Sequence, residues 1–338
     1  MGVSSEFLNP SEAARRLGIS AKALRLYEQR GLIAPIRSAA GWRAYGPAEM
    51  ERASEIVALR ALGFSLAGVA RALTGDLAAL DGALAGQQAA LDERIRQLSG
   101  SADRVRALRE ALARGEPPGP GDLTILMGRT SCLDVAFDLP WPWGGERFEL
   151  CDIGPLTYIT GPLGSGKTRL AKRLAEEIPD TVFVGLDRSA ENRRARLADD
   201  PSLASRVDRA LAWLIEDGGA ECDALLALLL ALEAQGPQAL VIDMVEQGLD
   251  GPTQEALVAL LRRRGPAARP LFLLTRSTSI LDLGSVGTGE SILFCPANHG
   301  MPVRVAPYPG TSGYEALASC LASPEVRART DGMVAVRR

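Results

Sequence analysis

Eight consecutive residues, Gly161, Pro162, Leu163, Gly164, Ser165, Gly166, Lys167 and Thr168, carry the most specific chemistry in this chain. Closely spaced glycines let a backbone curl until successive N–H groups point inward, where they can hold anionic oxygens that a side chain would obstruct. Lys167 adds a mobile positive charge for the outer phosphates of a polyphosphate, and Thr168 a hydroxyl for a phosphate-bound Mg²⁺. The eight residues satisfy every specified position of the phosphate-loop pattern G-x-x-x-x-G-K-[ST]. The bland alternative is a glycine-rich turn. Against it, only Lys22, Lys167 and Lys172 among 38 basic residues are lysines, so positive charge is otherwise written as Arg, and a lysine in this slot is not filler. ATP with Mg²⁺ is the expected cofactor.

The elements around the loop are in the order that this chemistry requires. Leu156 to Thr160 is an apolar strand leading in, and Arg169 to Glu177 has helical composition leading out, which brings a positive helix end to the phosphates. Farther on, Ala239 to Ile242 forms a buried strand ending in Asp243. Strand followed by Asp is common in itself; downstream of a phosphate loop, Asp243 joins Thr168 as a candidate Mg²⁺ ligand. Further β-like runs are expected at Cys132 to Leu139, Arg147 to Ile153 and Thr181 to Leu186. Trp141, Trp143 and Phe148 offer either an adenine-stacking ring or core packing, and Asp187 and Arg188 either touch nucleotide or substrate or form a solvated loop pair. His299 is assigned no role, and Gly313 to Arg338 is expected as one helix with a frayed end.

At 338 residues the chain has room for two domains. Its longest apolar stretch, Ala224 to Leu232, falls well short of the roughly 20 residues that span a bilayer, and no basic-then-apolar leader opens the sequence. The five cysteines form no C-x-x-C pair, which favours reduced thiols over disulfides or zinc. These features predict a cytoplasmic protein without a membrane partner. The net charge of −3 is uneven: residues 1–75 hold ten basic side chains against six acidic ones, a weak pointer to nucleic acid at a mildly basic head.

Within that head, Asn9-Pro10-Ser11 predicts a helix start and Gly18 a tight turn, and a second helix opens at Ser20 and stops at Gly31. On spacing alone this is a helix-turn-helix or an ordinary helical hairpin. The longer wording, from SEAARRLGISAKALRLYEQRGLI through GWRAY to LGFSL, resembles the winged-helix head of the MerR family of transcription regulators. The resemblance implies a homodimer that binds and distorts a pseudo-palindromic double-stranded promoter, with RNA polymerase as a further partner. It places Ser20, Lys22, Arg25 and Tyr27 on or beside the recognition helix and Arg37, Arg43 and Tyr45 at the wing and its phosphate contacts. Arg and Tyr reach phosphate oxygens, and Arg also reads guanine edges. Leu26 and Trp42 depart mildly from the family pattern. Leu91, Ile95, Leu98, Ala102 and Val105, continued by Leu108 and Leu112, follow a coiled-coil rhythm or pack on their own domain; the resemblance implies an antiparallel dimerisation helix, with Gly100 and Ser101 as a candidate bend. Residues 115–122, GEPPGPGD, predict a stiff linker. In MerR-type metal sensors the ligand cysteines sit around the end of this helix. Here no Cys precedes Cys132, and a signal is expected to enter through the C-terminal domain.

That domain, over residues 145–300, resembles ABC-type ATPases and related AAA-like ATPases. Asp217, Gly218, Gly219 and Glu221 match a degenerate signature, Asp243 the acidic strand tip, Gly248-Leu249-Asp250 the D-loop, and LFLLTRSTSILDL the strand and switch segment. Where the family carries a catalytic Glu this chain has Met244, and where it carries a switch His there is Arg276. Glu246 and Arg276 remain as candidates, no catalytic residue is assured, and slow ATP turnover at most is expected. The expected fold class is α/β with a winged-helix head: residues 8–76 a winged helix-turn-helix, 77–114 a coiled-coil dimerisation helix, 115–128 a Pro/Gly-rich linker, and 129–338 a P-loop sheet flanked by helices. Two functions follow: a MerR-type regulator whose P-loop domain binds ATP and Mg²⁺ and modulates promoter binding, or a DNA-tethered ATPase or small-molecule kinase with Asp187 as a substrate-side carboxylate.

Overall fold

The computed structural model describes residues 7–37, 41–114, 133–186, 199–265, 268–287 and 289–324, together with residues 197 and 326. The expected linker at 115–128 and the pair Asp187 and Arg188 lie outside the described residues. In the head, α1 (Pro10–Leu17) starts at Asn9, whose side chain accepts from the amides of Ser11 and Glu12 while Glu12 returns a bond to the Asn9 amide. Gly18, in the left-handed conformation, ends it. Ser20 then caps α2 (Ala21–Gln29) by accepting from the Ala23 amide at 3.0 Å. A two-stranded wing, β1 (Ile36–Arg37) and β2 (Arg43–Ala44), leads to α3 (Pro47–Ala61) and α4 (Leu66–Leu73). Leu24, Tyr27, Tyr45, Ile56 and Val69 close the core of this head.

The helix that follows, α5 (Leu77–Ala113), runs unbroken through Gly100 and Ser101. An interior glycine costs only about 1 kcal/mol, and the 37-residue helix continues through it. On its expected stripe, Ile95, Val105 and Leu112 are exposed.

The body is built on a six-stranded sheet in the order β10-β9-β5-β8-β7-β6, made from β5 (Leu156–Thr160), β6 (Thr181–Val184), β7 (Ala239–Ile242), β8 (Leu271–Leu274), β9 (Glu290–Phe294) and β10 (Val303–Arg304). All pairings are parallel except β9 with β10. Strands covered on both faces read as continuous apolar runs, and successive side chains enter opposite layers. Leu240 and Ile242 of β7 and Leu271 and Leu273 of β8 pack against α7 (Pro201–Glu216), α8 (Asp223–Glu233) and α9 (Gly251–Arg263), numbered after α6 (Lys167–Glu177). Ala239, Val241, Phe272 and Leu274 face α6 and an antiparallel hairpin of β3 (Leu133–Asp138) and β4 (Arg147–Ile153). Among the described residues no helix is long and apolar enough to cross a membrane.

The C-terminal tail corrects the single helix expected from Gly313 onward. α10 (Tyr314–Ser319) is short, and Ala322 forms a parallel bridge to Ser277, donating to the Arg276 carbonyl at 2.9 Å and accepting from the Thr278 amide at 3.0 Å. Backbone pairing beside β8 wins over helix continuation, and Pro324 follows two residues after Ala322.

Candidate functional site

The glycine loop Gly161–Gly166 joins the end of β5, at the centre of the sheet, to the start of α6. Two of its glycines are dictated by geometry. Gly161 has φ +150°, and a Cβ there would collide with the carbonyl oxygen of Cys295 at the end of β9. Gly166 caps α6 at φ +90°, and a Cβ would lie 2.6 Å from the Trp143 ring. The backbone thus closes into a cradle that side chains cannot enter, at a helix N-terminus, as an anion site requires.

Lys167 is nearly buried, and its Nζ donates to the carbonyls of Gly161 (2.9 Å) and Pro162 (2.6 Å) and to Ser165 Oγ (3.4 Å). Burial, with a smaller push from the neighbouring Arg276 charge, brings its ammonium down to about 8. Cys295, behind the loop, is pushed up to about 12 by burial, so its thiol stays protonated. Thr168 Oγ1 donates to Asp243 Oδ2 at 3.1 Å, which brings the two expected Mg²⁺ ligands together across β5, β8 and β7. A hydroxyl, a carboxylate, a lysine and a cradle without side chains form a donor set that fits a nucleotide polyphosphate with its metal.

The candidate catalytic pair is also assembled, in a holding arrangement. Met244, directly after Asp243, adopts φ +45°. Glu246 is buried, and its Oε1 accepts the Arg276 amide at 3.0 Å, tying the Asp243 turn to the segment after β8. Arg276 Nε is buried with no hydrogen-bond partner among the described residues. Of the aromatic candidates, Phe148 and Trp143 are core side chains, with Trp143 Nε1 donating to the Gly300 carbonyl at 3.0 Å. Trp141 is 70% exposed, and the guanidinium of Arg169, in the first turn of α6, lies 4.4 Å from its ring centre. It is the aromatic that remains open beside the loop.

The DNA-side candidates divide into three groups. Arg25 and Arg37 are exposed, Arg37 donating to the Gly41 carbonyl at 3.0 Å. Arg43 pairs with Glu28 at 2.8 Å, and Tyr45 is fully buried with its hydroxyl on the same carboxylate; Tyr27 is likewise a core ring. Tyr45 therefore ties the wing to α2 from inside the head, while Tyr27 packs α2 into its core. Ser20 is buried, and Lys22 pairs with Glu255 of α9 at 2.8 Å and donates to Ser279 Oγ at 2.9 Å. Contacts between head and body were not legible in the sequence. Asp217, expected at the degenerate signature, is a buried carboxylate bound by Arg60 of α3 and by the Leu66 amide at 2.8 Å, and its neighbour Glu216 accepts from Ser65 Oγ at 2.8 Å.

Comparison with known proteins agrees with both halves. The family model described as MerR HTH family regulatory protein matches residues 8–76. A probable heavy metal-dependent transcriptional regulator of Haemophilus influenzae is 46% identical over 67 residues, covering 20% of this chain and 52% of that protein. The ABC transporter ATP-binding/permease protein Rv1747 of Mycobacterium tuberculosis is 26% identical over 255 residues, covering 59% of this chain and 29% of that protein. The crystal structure of HiNmlR, a MerR family regulator lacking the sensor domain and bound to promoter DNA, aligns at TM-score 0.29 and 24% identity over 33% of this chain and 92% of that one. The chain thus spans about half the length of its first MerR-type relative and under a third of the ABC protein. It carries an N-terminal MerR-type helix-turn-helix domain, joined to a C-terminal region with homology to ABC-transporter ATPases.

Proposed function

We propose that this protein is a homodimeric transcription regulator of the MerR type, cytoplasmic, whose C-terminal domain binds ATP and Mg²⁺ and so modulates binding or distortion of a double-stranded promoter read also by RNA polymerase. The observation that carries the nucleotide reading is the bond from Thr168 to Asp243 beside a lysine seated in a cradle closed to side chains. The cradle amides and Lys167 would hold the phosphates, Thr168 and Asp243 the metal, and the open face of Trp141 the adenine. Bound Mg²⁺ would supply charge neutralisation on the phosphates. Arg276 would turn its buried Nε toward the same anionic charge. Met244 offers no base, and Glu246 is engaged with the Arg276 amide, so this chain's residues favour binding over turnover. That weighs against the ATPase or kinase reading.

On the DNA side, Lys22, Arg25, Arg37 and Arg43 supply the cationic contacts, with Tyr45 positioning Arg43 through Glu28 and Tyr27 packing behind α2. The exposed Ile95, Val105 and Leu112 on α5 would form the antiparallel dimer seam. Calorimetric titration with ATP, with and without Mg²⁺, tests the nucleotide reading. Wild type should bind, Lys167→Ala should not, and Thr168→Ala should lose the Mg²⁺ dependence; no binding to wild type would remove the reading.

A further inference from the structure

We infer that the chain holds itself in a form that cannot read DNA, with its head docked on its own body and Lys22, in the first turn of α2, engaged there. The inference rests on the proposal that the head binds DNA, and it concerns how that binding is withheld.

The docking contacts are specific. Arg60 reaches Asp217 with both terminal nitrogens, and the Leu66 amide completes the carboxylate at 2.8 Å. Asp217 is 5% exposed, and its carboxylate is held from the head by the Arg60 guanidinium and the Leu66 amide. Trp213 Nε1 donates to the Gly63 carbonyl at 3.3 Å, with Arg60 and Arg263 over its ring at 5.9 and 5.6 Å. Arg30 lies so close to Gly218 that a Cβ at that glycine would collide with its guanidinium. A second contact bears on α2 itself. Lys22 is latched by Glu255 and Ser279, and a Cβ at Gly284 would lie 3.3 Å from Ser20 Cβ. Two residues expected on or beside the recognition helix, Ser20 and Lys22, therefore lie against the body, Lys22 on the Glu255 carboxylate. Glu255 thus holds the Lys22 ammonium, while Glu216 and Asp217 fasten the head at Ser65, Arg60 and Leu66.

The latch is joined to the nucleotide site by short hydrogen bonds. From Glu246, next to the Asp243 turn, a bond reaches the Arg276 amide at 3.0 Å; Ser277 Oγ donates to Gln254 at 2.5 Å and accepts from the Ser279 amide at 3.1 Å; Ser279 Oγ holds Lys22. A rearrangement of the segment after β8 therefore acts directly on the latch.

The test uses the full chain without nucleotide: wild type, Asp217→Asn and Glu255→Gln. Lys22 is one of three lysines, so its acetylation by an amine-reactive reagent can be read by mass spectrometry against Lys172 in the same molecule. Asp217→Asn lies away from Lys22, and faster Lys22 labelling in that variant reports release of the whole head. Both variants should also bind a duplex carrying the promoter region upstream of the protein's own gene about tenfold more tightly or better, since apparent affinity scales with the fraction of competent molecules. Unchanged Lys22 labelling in Asp217→Asn overturns the docking. Faster labelling with unchanged DNA affinity overturns the masking. No DNA binding by any form removes the DNA-binding reading and the masking with it, while the labelling rates still decide whether the head docks.

Discussion

Raising the pH from about 7.5 to about 9.5 should weaken ATP binding roughly 20- to 30-fold, through Lys167. Burial brings this ammonium down to about 8, so in the free protein it is mostly charged at the lower pH and mostly neutral at the higher. Polyphosphate selects the charged form, and the bound lysine stays protonated throughout the window. The terminal phosphate, with a second pKa of about 6, is ionised across the whole range and adds no break of its own. The same shift has a stability consequence of opposite sense. An unfolded lysine keeps its proton up to an ordinary 10.5, so between about 8 and 10.5 the unfolded chain binds more protons and stability rises with pH. At neutral pH, holding the charge in the cradle costs about 3 kcal/mol. Calorimetric or fluorescence titrations across the window, repeated on Lys167→Arg, measure the effect; the arginine stays charged and its profile should be flat. A flat wild-type profile, or a break near 10.5, would refute the reasoning.

Other substitutions test how the site and head are held. Gly161→Ala places a methyl against the Cys295 carbonyl at φ +150° and should cost about 2 kcal/mol or more in urea unfolding, with loss of nucleotide binding. Arg262→Leu leaves Glu290, which it bonds at 2.7 and 3.0 Å, as a buried carboxylate beside the Tyr158 phenol; a loss of about 3–5 kcal/mol is expected, largely recovered when Glu290→Leu is added. Tyr45→Phe should destabilise by about 1 kcal/mol through loss of the hydroxyl bond to Glu28, measured by thermal unfolding.

What the sequence made legible follows from how local each signal is. The loop pattern, its strand and Asp243 are short-range, and all three met as expected, because strands covered on both faces have no alternative to apolar continuity. Helix ends in the head were equally legible, since Asn9, Ser20 and Gly18 act on amides and carbonyls a few residues away. Long-range pairings leave no such trace. Asp217 meets Arg60 across 157 positions and Lys22 meets Ser279 across 257, so the residues that fasten the head to the body carried other readings or none. Exposure separated Trp141 from Trp143, two residues apart in sequence, only once the hairpin turn was placed. The tail misled because helical composition was outcompeted by pairing at Ser277.

The coupling of nucleotide to DNA is tested most directly by measuring affinity and bending of promoter DNA with and without ATP and Mg²⁺, on wild type and Lys167→Ala, while following phosphate release. A response of about 5- to 150-fold in DNA affinity, corresponding to a coupling of about 1–3 kcal/mol, that disappears in Lys167→Ala with phosphate release near background, is the expected result. DNA binding indifferent to ATP, alongside brisk phosphate release, would contradict it and mark the C-terminal domain as an enzyme.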